Sequence, residues 1–256
     1  MGKVILITGI SSGFGKQSFE LLAKHGHIVY GTVRKDNDIN PGLNVLKLDL
    51  TDPGTIVEAV KTIVQKEGRL DVLINNAGMH IGGPIETSDI KDIVLQMNTN
   101  FMGMVYLIRE ALPVMRKQGG GTIINFSSIG GLMGLPFQGF YSAGKFAIEG
   151  FSEALRMEVK PFNIKIVLIN PGDFHTNNSI NRRSFLAPTQ ENDPYQNQFG
   201  KTLNVIEKDE GNGWKPIILA GKLVKIAESK NPRQRYIIAS FEQKLAVALK
   251  YILPGR

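Results

Sequence analysis

The chain contains no cysteine among its 256 residues. Disulfide scaffolding, thiolate catalysis and cysteine-ligated metal are therefore excluded, and no metal set is expected. No apolar run approaches the roughly twenty residues that a membrane-spanning helix needs. There is no internal repeat and no low-complexity tract. The single tryptophan, Trp214, reads as a packing residue. The 30 basic and 23 acidic residues give a net charge of +7, but no nucleic-acid-binding motif accompanies the scattered lysines and arginines. They read as a solvated surface whose weak positive field favours an anionic ligand. Residues 3–8 pass directly into a strand-like run, so no cleavable leader is expected. A cytoplasmic protein without stable membrane insertion is the expectation.

What is present is an alternation. Apolar residues make up 42% of the chain, ordinary for a globular protein, and this length is enough for one domain with a large core. Residues 4–8, 28–32, 45–48, 72–75, 122–126, 164–169 and 236–238 are rich in Val, Ile and Leu with little polar alternation. Strands covered on both faces read this way. Helical stretches fall between them. One leaves the turn at Gly13 and ends near Gly26. A second starts at Asp52 with Pro53 behind it, an N-cap followed by proline at the first helical position, and stops near Gly68. A third runs from about Asn100 toward Met115, and a fourth from Tyr141 to just before Pro161. The pattern predicts an α/β fold, one domain over residues 1–256, with about seven strands in a doubly wound parallel sheet.

Residues 177–215 depart from this rhythm. Asn, Gln, Pro and Arg dominate and periodicity fades. A segment of this kind after the sixth strand, at the end where open α/β sheets bind ligands, reads as a substrate lid. Its Asn177, Asn178, Asn181, Arg182, Arg183 and Gln190 are polar. The final stretch, 245–253, reads as a core or subunit-contact helix in preference to a membrane-surface one.

Two clusters carry chemistry. The first is Thr8-Gly9-Ile10-Ser11-Ser12-Gly13-Phe14-Gly15 after the first strand. Gly9 permits a tight turn. Gly13 and Gly15 remove side chains where backbone approaches a pyrophosphate and where the helix packs on the sheet. The helix amides and dipole then meet phosphate. The second cluster is Tyr141-Ser142-Ala143-Gly144-Lys145, with Ser128 thirteen residues before the tyrosine. Tyr141 and Lys145 share a helix face at i and i+4. A phenol with a pKa near ~10 is a poor base at neutral pH. An ammonium one turn away favours phenolate and equips the tyrosine to take or give a proton.

The glycine spacing is Gly-x-x-x-Gly-x-Gly. With Asn75-Asn76-Ala77-Gly78 after the fourth strand and Tyr141-x-x-x-Lys145, the chain resembles a short-chain dehydrogenase/reductase over essentially its whole length. The resemblance implies a Rossmann-type fold and a dinucleotide cofactor held by Gly9, Ser11, Ser12, Gly13, Phe14 and Gly15. It places Asp49 and Leu50 by the adenine, and Asn76, Ala77 and Gly78 on the adenine ribose side. It assigns the nicotinamide end to Pro171, Gly172 and Thr176. Lys145 serves both the ribose and Tyr141, and Ser128, chosen over Ser127 by family spacing alone, holds the substrate oxygen. Asn100, in Asn100-Phe101-Met102-Gly103, completes a proton relay, with Asn98 its near neighbour. His80 and His175 read as pocket-lining or surface residues.

The resemblance extends to the hydroxysteroid, especially 17β-type, and retinol dehydrogenase branch, through the apolar 130–137 stretch and Lys145-Phe146-Ala147-Ile148-Glu149-Gly150. It implies a secondary alcohol or ketone of hydrophobic, steroid-like or retinoid-like type, in a pocket over Leu135, Phe137 and Phe140. A β-keto acyl reductase is the alternative within enzymes. A cofactor-sensing protein without catalysis requires a broken catalytic set, and Ser128, Tyr141, Lys145 and Asn100 are all present. Relatives pair through the helices after strands four and five, so a homodimer or homotetramer is implied.

Cofactor choice is legible at the end of the second strand. NAD-binding relatives place an acid there to grip ribose hydroxyls. Here Val33 takes that position, Arg34 and Lys35 follow, and the first acid is Asp36. A guanidinium suits a 2′-phosphate, which favours NADP(H) without excluding NAD(H). Arg34→Ala is expected to weaken NADPH roughly ten- to a hundredfold and NADH little. Nucleotide titration checks this, and equal losses for both would remove Arg34 from phosphate recognition.

Overall fold

The computed structural model describes residues 2–35, 38, 42–175, 183–184, 193–250 and 252, with the side chains of 183 and 184 outside that description. Strands β1 (Val4–Ile7), β2 (Ile28–Val33), β3 (Val45–Lys47), β4 (Val72–Asn75), β6 (Gly121–Phe126), β7 (Ile164–Pro171) and β9 (Arg235–Ile238) form one sheet in the order β3-β2-β1-β4-β6-β7-β9. Every pairing in it is parallel. Two short strands, β5 (Ile81–Gly82) and β8 (Arg183–Ser184), pair separately. The helices are α1 (Gly13–Lys24), α2 (Pro53–Glu67), α3 (Ile90–Met97), α4 (Gly103–Lys117), α5 (Gly139–Val159), α6 (Gln196–Gly211), α7 (Pro216–Glu228) and α8 (Phe241–Lys250).

Strand side chains alternate between two cores, as their two-residue period requires. Val4, Leu6, Leu73, Ile123, Ile166 and Leu168 face a core filled by α2, α4 and α5. Ile5, Ile7, Ile74, Ile124, Val167 and Ile169 face a second core with Phe19 and Leu22 of α1 and Leu219 and Leu223 of α7. Both faces are dry, so the strands read as unbroken apolar runs.

The order reverses between β1 and β4, which lie side by side with Ile7 opposite Ile74. Their following loops part there, and the crevice beyond the carboxyl ends of a parallel sheet is where such folds bind ligands. The predicted caps are in place. The Asp52 side chain accepts from the Gly54 amide at 2.9 Å, and Gly68 ends α2 at φ +70°.

Four elements differ from the sequence reading. The third helix is preceded by α3, capped by Asp89 accepting from the Lys91 amide. A π-helical turn, Asn98–Met102, joins α3 to α4. Of the expected lid, residues 177–182 and 185–192 lie outside the described residues; within the rest, residues 196–211 form a helix and not an irregular loop. Of that helix only Phe199 is buried, so the apolar stripe that announces a packed helix is short. A seventh helix, α7, covers the second core and was not separated from its surroundings in sequence.

The close approach of α4 to the loop after β3 depends on Gly103. A β-carbon there would lie 2.4 Å from the Leu50 carbonyl oxygen. Gly103→Ala is expected to cost about 2 kcal/mol and to lower the thermal midpoint by roughly 4–8 °C. Calorimetry checks this, and an unchanged midpoint would show that the contact yields freely.

Candidate active site

The turn after β1 is fixed by backbone and two neighbours. Gly9 sits at φ +73°, and the amides of Gly9 and Ile10 both donate to the Thr32 carbonyl, at 3.1 and 3.0 Å. A β-carbon on Gly15 would lie 2.0 Å from the Gly9 carbonyl oxygen, so α1 can start this close to the strand only with glycine. The Asn76 side chain donates to the carbonyls of Thr8 and Gly9 at 2.8 and 3.1 Å. The Thr8 hydroxyl accepts from the amides of Asn76 and Ala77. Asn76 is thus a brace for the glycine turn as well as part of the cleft wall. Ser12 caps α1 without a side-chain bond, which leaves first-turn amides for an anion.

A cleft of about 930 Å³ runs along the carboxyl edge of the sheet. At one end it reaches Arg34 and Lys35, both exposed just beyond β2, together with Asp38. Ser11, Ser12, Gly13 and Phe14 line it, as do Asp49, Leu50 and the turn at Asn76, Ala77 and Gly78. The Asp49 carboxylate accepts from the Thr51 amide and hydroxyl at 2.8 and 2.7 Å, which fixes its direction. The other end holds Ser128, Tyr141, Lys145, Pro171 and Gly172. Gly172 donates to the Ile238 carbonyl, and its absent β-carbon leaves room for the Gln243 amide oxygen. Thr176 lies outside the described residues. A glycine turn at a helix start, a cationic end and a buried lysine at the far end fit an extended phosphorylated dinucleotide.

Tyr141 lies in the first turn of α5 and Lys145 one turn on. The Lys145 ammonium is buried, donates to the Phe126 carbonyl at 2.8 Å and stands 5.7 Å from the centre of the Tyr141 ring. Burial pulls its pKa down to about 8, and the Glu149 carboxylate, one further turn along α5, opposes that fall. His80 stacks on the Tyr141 ring with centres 4.2 Å apart and planes 27° apart. His175 is exposed, its Nδ1 3.2 Å from the Gly211 carbonyl oxygen.

The two serines separate clearly. The Ser127 hydroxyl is buried and donates to the Lys145 carbonyl at 3.4 Å. Ser128 is extended, and its Oγ accepts from the Gly130 amide at 3.0 Å. Ser128 and Tyr141 meet over Gly130, where an added β-carbon would lie 3.3 Å from Tyr141 Cε1 and 3.5 Å from Ser128 Oγ. Asn100 is buried in the π-helical turn, behind the cleft. Its side chain accepts from the Met79 amide and donates to the Met79 carbonyl, each at 2.7 Å. The pocket wall differs from expectation at two residues, since neither Phe140 nor Phe137 lines the cleft. Met133, Leu135 and Pro136 line the cleft, whereas Phe137, at φ +56°, turns onto Phe199 and Tyr195 beside and within α6.

Two features were not read from the sequence. One is the inner face of α6, where Thr202, Val205, Ile206, Asp209 and Glu210 line the cleft at i, i+3, i+4, i+7 and i+8. The other is a polar group behind Lys145, formed by buried Glu149 and Asn170 with the partly exposed Arg235. Its only signal in sequence was the continuation of the Tyr141–Lys145 spacing to Glu149. Among the described residues no cluster of three or more acids or histidines could hold a metal, and no helix is long and apolar enough to cross a membrane.

Residues 3–187 match the family model for short chain dehydrogenase. A 3-ketodihydrosphingosine reductase from Bacteroides thetaiotaomicron is 48% identical, over 98% of this chain and 93% of that protein. An NADPH-dependent 3-dehydrocapnine reductase from Ornithobacterium rhinotracheale is 32% identical, over 98% and 93%. The structure of a short-chain dehydrogenase from Streptomyces avermitilis superposes with a TM-score of 0.85 at 29% identity, covering 98% of this chain and 93% of that one.

The buried lysine has a measurable cost. Its folded-state pKa of about 8 lies below the ordinary 10.5. Between those values the unfolded chain binds the extra proton, so Lys145's contribution improves as pH rises through that window. Below it, the buried ammonium costs on the order of 3 kcal/mol. Lys145→Met is expected to raise the melting temperature of the cofactor-free protein near neutral pH by several degrees. The gap between the two proteins should narrow from pH 8 to 10.5. Melting curves across pH check both points, and a constant gap would show that Lys145 is not desolvated.

Proposed function

The chain belongs to the short-chain dehydrogenase/reductase family, and on that premise we propose that it is an NADPH-dependent reductase of a long-chain 2-amino ketone. The family and its reductase relatives make it an NAD(P)-dependent oxidoreductase. The observation that carries the substrate class is the graded inner face of α6. Val205 and Ile206 supply an apolar middle, and Asp209 and Glu210 follow at its carboxyl end. That end is tied to the nicotinamide turn. The Trp214 amide donates to the Asp173 carbonyl, and the Trp214 and Phe174 rings meet edge to face at 6.1 Å. The amino end rests on Phe137 through Phe199, at 5.2 Å between ring centres. An alkyl chain therefore has an apolar path along α6, and an ammonium one carbon from the ketone meets carboxylates where the carbonyl must react. A 3-ketodihydrosphingosine has this composition, with an amine beside a ketone on a long chain. A steroid- or retinoid-like ketone has no cation to match Asp209 and Glu210.

In this reading Arg34 and Lys145 would hold the two ends of NADPH, which when bound would supply the hydride for carbonyl reduction. Tyr141 donates its phenolic proton to the carbonyl oxygen, and the alcohol forms. Ser128 Oγ hydrogen-bonds the same oxygen and polarises it. The Lys145 ammonium favours the phenolate left behind, and Asn100 belongs to the path that returns a proton. Arg34 and Lys35 at the cleft end support NADPH over NADH. The cover over the pocket is α6 with its flanks, a role supported by its single buried residue. Pairing of two chains through α4 and α5 is supported by exposed Phe146 and Met157 on α5.

NADPH oxidation with 3-ketodihydrosphingosine, a deaminated ketone of equal length, a steroid ketone, retinal and a β-keto acyl thioester tests the proposal. The amino ketone should exceed the deaminated one by about tenfold or more in kcat/KM. Replacing Asp209 by Asn and Glu210 by Gln should erase that preference, and Tyr141→Phe should abolish turnover while NADPH still binds. Equal use of the uncharged ketones would overturn the amino-ketone reading.

A further inference from the structure

Tyr141, Lys145 and Glu149 fall on one stripe of α5 at i, i+4 and i+8, and the last has no part in the chemistry described above. Glu149 is nearly buried, and Asn170, the residue before the Pro171-Gly172 turn, is fully so. The Asn170 side-chain amide donates to Glu149 Oε1 at 2.6 Å and to the Ser128 carbonyl at 3.0 Å. Arg235 of β9 pairs with Glu149 Oε2 at 2.5 Å and donates to Asn170 Oδ1 at 3.3 Å. Asn170 thus spends both amide hydrogens and its oxygen within the group, which fixes its orientation. Three elements that carry the site, the Ser128 loop, the Lys145 helix and the turn after β7, meet at this one ion pair.

We infer that Glu149 is a positioning residue for the reaction, clamped by Arg235 and Asn170 so that its carboxylate holds Lys145 as an ammonium while Asn170 sets the Ser128 backbone. A buried ammonium with only a carbonyl partner would shed its proton. A carboxylate one turn away keeps it, and Arg235 limits how strongly that carboxylate acts. Glu149 is itself an anion held by an arginine, so the two side chains push Lys145 in opposite directions. The charged groups facing Glu149 and Arg235 include Arg156 on α5, which Glu153 also faces; His80 stacks on the Tyr141 ring, and Asp173 lines the cleft after the Pro171-Gly172 turn. The inference rests on the acid–base assignment of Tyr141 and Lys145 and is independent of which ketone is reduced.

The opposite signs give the test. NADPH affinity, read by titration, and kcat/KM for ketone reduction are measured against pH for the native protein, Glu149→Gln, Arg235→Gln and Arg235→Lys. Glu149→Gln keeps an oxygen for Asn170 and removes only the charge. Its alkaline decline should move to lower pH by about one unit in both profiles. Arg235→Gln should move the decline upward, and Arg235→Lys should leave it in place. A uniform drop in kcat with all declines unmoved, or movement of the Glu149 and Arg235 variants in the same direction, would overturn the inference and leave the group a structural brace. Movement of the affinity profile alone would sustain it and count against Tyr141 as the acid. Circular dichroism and thermal midpoints confirm that each variant is folded, and Arg235→Lys retains the test if Arg235→Gln does not fold.

Discussion

A lysine ammonium buried at the carboxyl edge of a parallel sheet is the constraint around which this molecule is organised. Lys145 reaches the Phe126 carbonyl at the end of β6 and lies against the Tyr141 ring. Water would stabilise the charge better than this site does, and the fall of its pKa to about 8 records the difference. The protein tolerates that cost because a hydrated lysine would neither sit under the tyrosine nor hold a fixed direction. Strain of this kind is characteristic of sites organised for proton transfer.

The rest of the scaffold supplies what the lysine needs. The sheet order puts β1 next to β4 and β6 next to β7, so the glycine turn and the Ser128 loop emerge on the same edge. Asn76 braces the first through Thr8 and Gly9. Asn170 braces the second through the Ser128 carbonyl and returns to α5 through Glu149. Both braces are side-chain amides bonded to backbone carbonyls, which fix loops that the strand ladder no longer holds. The cleft therefore has a rigid floor. Its outer wall is α6, which rests on Phe137 at one end and the Phe174–Trp214 contact at the other. In the proposed reading chemistry belongs to the floor and substrate choice to the wall, a division that lets one fold serve many substrates.

Much of this was legible in the chain. The seven strands of the main sheet follow from apolar runs, because a sheet covered on both faces needs nothing else from its residues. The starts and ends of α1 and α2 follow from Asp52, Pro53, Gly26 and Gly68, whose effects are local. The glycine turn and the Tyr141–Lys145 pair are likewise local, because their geometry is set within a few residues of backbone. The choice of Ser128 over Ser127 rested on spacing alone; in the structure both serines line the cleft, and the Ser127 hydroxyl is turned onto the Lys145 carbonyl.

What only the tertiary structure decided involves residues far apart in the chain or faces that meet a cavity instead of a core. Residues 196–211 lacked a helical signature because one side of α6 faces the cleft and carries acids where a packed helix carries leucines. Phe137 left the expected pocket wall because Phe199 offers it a better partner. Glu149, Asn170 and Arg235 come together only when α5, β7 and β9 are stacked. The sequence by itself determined the sheet, the glycine turn and the placing of Tyr141 and Lys145 on one helix face, because short-range geometry and simple burial specify them. The tertiary structure determined which charges surround that pair, because a buried charge finds its partner in space and not along the chain.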